Sequence, residues 1–370
     1  MTSHAQLRFA KGNALFFATL TQRVNQYFKD QNISKHANGE MFFKTFFMLT
    51  LFFTPYTILI TSTATTVLGQ WLCAIVMGLG MAGIGLSIMH DANHGAYSGK
   101  PWVNDLMGFT LNLVGGNAFN WKVQHNVLHH TYTNVHEVDE DISPRGILRM
   151  APGSKWKPFH RFQHWYAWFF YGLLTFVWIV FKDFQRIIKY KKDGMIARQK
   201  TTVIKEWAVL ILTKAVYWFY ICYLPISLLD LTFGAWFIGF LSMHYVGGFI
   251  LAMIFQPAHV VDGTVYPEAD ENGNLENNWA VHQMQTTTNF ANGNHLFSWY
   301  VGGLNFQVEH HLFPQICHVH YRNIAPIVEA TAKEFGVPYK SKRTFIEAVV
   351  DHARMMKQLG ASEQVQFALG

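Results

Sequence analysis

Four long apolar runs limit what this chain can fold into more than any other feature. Residues 45–66, 68–89, 207–228 and 234–258 are predominantly hydrophobic. At about 1.5 Å per residue each is long enough to cross a hydrocarbon core of roughly 30 Å. Inside lipid every backbone N–H and C=O must find a partner within the protein, so a single apolar run that crosses does so as a helix. The runs therefore predict an all-α integral membrane protein with four transmembrane helices. Pro55, Lys214 and His244 interrupt them, and such residues are tolerated in spans when they face protein or snorkel. The balance of 50% hydrophobic, 16% aromatic and 14% charged residues among 370 agrees, being more apolar and less charged than soluble domains.

A fifth apolar run, His164 to Phe181, is near the minimum spanning length. The segment after it, KDFQRIIKYKKDGMIARQK, is strongly basic, and the N-terminal arm carries Arg8, Lys11, Arg23, Lys29 and Lys35. Positive charge favours the cytoplasmic side. With two paired spans before and two after, both basic regions reach that side only if residues 164–181 lie in the interface or re-enter without crossing. The net charge of +6 is then a property of loops near anionic headgroups, and nucleic acid is not an expected partner. Three cysteines provide no disulfide framework and no paired metal motif. The polar first forty residues lack the pattern of a cleaved signal, so the first span is expected to direct insertion. The expected organisation is an amphipathic arm over 1–40, a membrane core over 41–322 and cytoplasmic C-terminal helices over 323–370. Both termini are placed in the cytoplasm.

Nineteen histidines are an excess, and seven of them fall in three boxes. HDANHG holds His90 and His94, HNVLHH holds His125, His129 and His130, and QVEHH holds Gln307, His310 and His311. Residues three or four apart share a helix face, so each box can direct two imidazoles into one volume. Neutral imidazole suits iron, zinc, copper and nickel alike. One zinc takes about four ligands, so the number of histidines points to two metals that keep open positions. His259, in FQPAHV at the end of the fourth run, mirrors His90 at the end of the second and is the candidate for an eighth ligand. His282 and His295 compete for that role or support the ligands from behind. Asp91, Asn93, Asp139, Asp141 and Glu309 lie near the boxes as partners for ligand N–H groups. His4, His36, His160, His320 and His352 have no ligand spacing and are expected to be ordinary.

At these boxes the sequence resembles the membrane fatty acid desaturase family. The likeness is strongest to its front-end subgroup, including linoleoyl-CoA desaturase-like proteins of the delta-5/delta-6 type. Their third box begins with glutamine, as in GGLNFQVEHHLFP, and HNVLHHTYTN with DED behind it and HYRNIAPIVEATAKEFGVPY are similar too. The likeness covers roughly residues 40–360. It implies two iron ions bound by His90, His94, His125, His129, His130, His259, His310 and His311 beneath a cytoplasmic helical cap, with Gln307 as a weak ligand or a holder of water.

The resemblance implies an oxidoreductase that reduces O2 to water while inserting a cis double bond into a fatty acyl-CoA or acyl-lipid. The chain has no HPGG motif of a fused cytochrome b5, so a separate ferredoxin or cytochrome b5 is the expected electron donor. The basic stretch from Lys182 to Lys205 could attract an acidic carrier. An acyl chain has no polar handle near the reacting carbons, so a shaped tunnel should select the position. A membrane di-iron hydroxylase acting on a lipid would share the site and retain oxygen in the product. A histidine-lined metal transporter is the alternative outside enzymes, and boxes at helix ends rather than along a pore weigh against it.

Overall fold

In the computed structural model, residues 7–12, 14–142, 146–229 and 231–363 are described, so His4 lies outside the described residues. Among the described residues four helices are long and apolar enough to cross a membrane: Gly39–Ile60, Val67–Asn93, Val203–Leu229 and Phe233–His259. Two further helices, Pro158–Gly172 and Leu174–Lys192, meet at a bend of 62°. That angle belongs to a broken span or a re-entrant segment, so the count of spans is four, or five if the bent pair crosses as one.

The chain divides into two compact units. One comprises residues 37–123 and 168–253 and contains the first three spans and most of the fourth. Its most enclosed element is the second span, whose glycines set how near its neighbours come. A Cβ on Gly80 would lie 2.6 Å from the backbone nitrogen of Phe52 in the first span, and one on Gly78 would lie 2.6 Å from the carbonyl of Met243 in the fourth. Any larger residue would have to push backbone apart, so these glycines are packing positions. The outward faces of the first and third spans carry exposed Phe43, Phe46, Ile211, Leu212 and Val216, the arrangement for a helix solvated by acyl chains.

The buried charge of the third span is paired inside this unit. Lys214, buried in the third span, donates to Asp183 Oδ2 at 2.7 Å and to the carbonyl of Gly115 at 2.6 Å. Asn120 Nδ2 donates to the Asp183 carbonyl at 2.9 Å. Tyr217 OH lies 2.8 Å from His244 Nε2, and His244 Nδ1 lies 3.1 Å from Thr175 Oγ1. A charge at this depth persists because each donor meets an acceptor.

The other unit comprises residues 1–36, 124–167 and 254–370. Its core is built on the N-terminal helix Ala14–Asp30, where Phe16, Leu20, Val24 and Phe28 recur every fourth residue and are all buried. This stripe packs with Tyr321, Ile324 and Val328 of helix Tyr321–Glu334, the fit expected of two amphipathic helices. Arg23 fastens the pair, donating to Thr331 Oγ1 at 3.0 Å and Glu334 Oε2 at 2.7 Å. Arg149, almost wholly buried, donates to the carbonyls of Leu359 and Ser362 at the end of the last helix, Phe345–Ala361.

Lys214→Met strands the Asp183 carboxylate and should cost about 3–5 kcal/mol, whereas Lys214→Met combined with Asp183→Leu should recover most of that loss. Thermal unfolding of the detergent-solubilised variants measures both.

Candidate metal centre

The second box is built on a π-helical stretch, Lys122–His129, rather than an α-helix. The spacing alone predicts an α-helix with neighbours at four residues. The wider turn bonds the backbone N–H of His130 to the carbonyl of His125 at 2.9 Å and so aligns residues five apart. His130 Nε2 and His125 Nε2 consequently lie 3.2 Å from each other, while His129, four from His125, stacks its ring on it with centroids 5.1 Å apart. All three histidines of the box are thereby turned to one side.

The loop that follows orients this box. Asp139, fully buried, accepts from His129 Nδ1 at 3.0 Å and from the backbone N–H groups of Asn134 and Asp141 at 2.9 Å each. Burial disfavours the charged imidazole of His129, but the Asp139 and then Asp141 carboxylates outweigh it and hold its pKa above the ordinary value. Asp141 Oδ2 lies 3.5 Å from His125 Nδ1 and accepts from Gln124 on its other oxygen. Asn134 takes the left-handed conformation, φ +60°, which asparagine tolerates better than most residues. Its Nδ2 donates to the carbonyl of His259 at 2.9 Å, tying the loop to the end of the fourth span.

The third box lies on helix Gln307–Leu312, every residue of which is buried. His310 Nδ1 is 3.1 Å from Tyr321 OH, and His311 Nδ1 is 2.8 Å from Gln283 Oε1. Gln307 Nε2 donates to the Leu304 carbonyl at 2.7 Å. Glu309 sits between the two faces: its carboxylate accepts from Asn289 Nδ2 at 2.8 Å and Tyr339 OH at 2.9 Å. Burial pushes its pKa up to about 7 against these two donors. Asn289 Oδ1 also accepts from the backbone N–H of Val308 at 2.8 Å. A two-strand parallel pairing of Asn289–Phe290 with Ser341–Lys342 holds Asn289 in place.

Within this unit the imidazoles gather into two overlapping groups. His129, His259 and His311 have ring nitrogens within 4.8 Å of one another, as do His130, His310 and His311. His125, His129 and Asp141 form a third group of the same size. Three imidazoles are a donor set for a borderline metal such as iron. His259 supplies the test of fit. Its Nδ1 lies 3.1 Å from the Thr286 carbonyl, an atom that can only accept, so Nδ1 carries the proton and Nε2 the lone pair. That Nε2 is buried and has no hydrogen-bond partner among the described residues, the state of a nitrogen made for a metal.

In the other unit, His90 and His94 at the end of the second span have ring centroids 4.8 Å apart, and both rest against Trp121, at 5.4 and 5.5 Å. Beside them Asp91 is buried, and Asn93 Nδ2 is 3.4 Å from the Gly108 carbonyl. The remaining candidates sit elsewhere. His282 donates from Nε2 to the Thr133 carbonyl at 2.9 Å, and burial lowers its pKa to about 4. His295 is exposed and touches Arg322. Sequence reasoning missed Gln283, Asn289, Thr133 and Tyr339, whose residue types carry no ligand signature. A glutamine and an asparagine in HQMQTTTNF, next to a histidine already singled out, were the available hint.

A family model, fatty acid desaturase, matches residues 65–343. The chain belongs to the fatty acid desaturase family. Among its relatives, the sn-1 linoleoyl-lipid 6-desaturase of Arthrospira platensis is 34% identical over 95% of this chain and 94% of its own length. That of Synechocystis sp. is 33% identical over 93% of this chain and 95% of its own. The acyl-lipid (8-3)-desaturase of Physcomitrium patens is 37% identical over 97% of this chain and 75% of its own. The desaturase is accordingly an oxidoreductase that acts on fatty acyl chains, in a family that is membrane-bound and uses iron, O2 and an electron donor.

Asn289→Ala removes both the acceptor for Val308 and the donor to Glu309, and should destabilise this unit by about 2–4 kcal/mol. Chemical or thermal unfolding followed by tryptophan fluorescence reads the change.

Proposed function

We propose that this desaturase inserts a cis double bond into a linoleoyl-type chain esterified in a membrane lipid, at a di-iron centre. The eight ligands are His90, His94, His125, His129, His130, His259, His310 and His311. The observation that carries the reading is the pair of three-histidine groups sharing His311, since two overlapping donor sets suit two adjacent metals. His90 and His94, on successive turns of one helix end, supply the imidazoles that these groups lack. Gln307, whose Nε2 is spent on Leu304, keeps Oε1 for a bound water. The relatives support an acyl-lipid rather than an acyl-CoA carrier, because the names of all three specify lipid-bound chains.

The overall change converts an acyl chain, O2, two electrons and two protons into the alkene and two waters. Iron, when bound, supplies the O2-dependent cleavage of unactivated C–H bonds, which no side-chain acid or base can perform. The protein's own residues orient and protect. Asp139 and the Thr286 carbonyl hold the Nδ1 protons of His129 and His259, which fixes both rings and leaves Nε2 as the donor atom. The site faces the cytoplasm beneath a helical cap, with both termini on that side, as supported by the basic segment between Lys182 and Lys205. A separate ferredoxin or cytochrome b5 delivers the electrons there.

Purified enzyme should contain two irons per chain by elemental analysis. Cells making it should accumulate lipids lighter by two hydrogens, with the new bond on the carboxyl side of linoleoyl chains. Lipids heavier by one oxygen would instead indicate a hydroxylase. His259→Ala and His310→Ala should each lower product about 100-fold or more, because the chemistry belongs to the metal, while the protein remains in the membrane fraction.

A further inference from the structure

We propose that Gln283 is the positioning residue for His311, setting that ring's orientation and tautomer, with Thr133 holding Gln283 in turn. The proposal rests on the metal-centre reading above and adds to it the control of the imidazole common to both histidine groups.

Gln283 lies on helix Trp279–Thr286 and, like Thr133 and His311, is fully buried. Its Oε1 is 2.8 Å from His311 Nδ1 and 2.8 Å from Thr133 Oγ1. Thr133 Oγ1 is also 2.7 Å from the carbonyl of His129, so the threonine links the backbone of the second box to the amide that faces the third. A metal on His311 Nε2 requires the proton on Nδ1, and a buried N–H needs an acceptor. Thr133 Oγ1, at 3.4 Å, is too distant to be that acceptor alone. Gln283 Oε1 is at the right distance.

The choice of an amide matters. His129 is oriented by a carboxylate and His259 by a main-chain carbonyl, groups that can only accept. A glutamine can present either its oxygen or its NH2. With the NH2 toward Nδ1, the ring proton would have to sit on Nε2, and His311 could not bind metal. The single proton of the Thr133 hydroxyl is shared between the His129 carbonyl and Oε1, and the share that Oε1 receives favours the productive orientation of the amide. Gln283 thus selects the tautomer without adding a negative charge next to the shared ligand.

The test is the rate at which detergent-solubilised, monodisperse enzyme gives up iron to a coloured chelator. Gln283→Leu is expected to release iron about 10-fold faster or more, the usual scale for loss of a partner behind a metal ligand. Gln283→Glu keeps the acceptor and should stay within about threefold of the parent enzyme. Parent-like release from Q283L, or release from Q283E as fast as from Q283L, overturns the proposal. Should Q283L fail to fold, the comparison passes to Thr133→Val, expected to release iron about threefold faster than Thr133→Ser; equal rates overturn the proposal. Parent enzyme that holds no iron would refute the metal-centre reading itself, an outcome distinct from any difference among variants.

Discussion

An imidazole offers one lone pair to a metal only when its single proton is held on the other nitrogen, and that constraint organises the histidine-bearing unit. Each ring needs an acceptor behind it, and each acceptor needs a support of its own. Asp139 serves His129 while gathering the backbone of Asn134 and Asp141. Thr286 serves His259 from the end of a helix that also carries His282 and Gln283. The buried polar residues of this unit are consequently numerous, yet most of those near the boxes trace back within two hydrogen bonds to a ring nitrogen or to the backbone beside one.

The lipid-facing unit meets the opposite demand. There the outward faces of the spans are apolar, the close approaches are made by glycines, and the charge buried in the third span is paired inside the protein. Lys214 is bonded to the Asp183 carboxylate and the Gly115 carbonyl, and Asn120 holds the Asp183 carbonyl, so losing Lys214 or Asp183 would leave a buried charge unpaired.

The four spans were legible because length and hydrophobicity alone decide what can cross lipid. The boxes were legible because histidine clusters are rare and costly at helix ends in a membrane. What spacing could not reveal was the π-turn at Lys122–His129: periodicity assumes four-residue neighbours, whereas His125 and His130 meet at five. Nor could sequence separate carboxylates of equal proximity. Asp139 bonds a boxed imidazole, while Glu309, adjacent to His310, turns to Asn289 and Tyr339. His282 and His295 look alike as competitors for the fourth-span role, yet one is buried on the Thr133 carbonyl and the other is exposed. Such distinctions depend on which face of a loop meets which partner, and that is set by contacts 10 to 149 residues apart in the chain.

The stripe of Phe16, Leu20, Val24 and Phe28 has a consequence for biosynthesis. These residues leave the ribosome before the four spans, but their partners Ile324 and Val328 emerge after them. The hydrophobic core shared by helices Ala14–Asp30 and Tyr321–Glu334 therefore cannot close until all four spans have been made. Three stretches of chain separated by the spans must then come together at once. A nascent chain stalled before residue 321 would present its early histidines without the core that supports them.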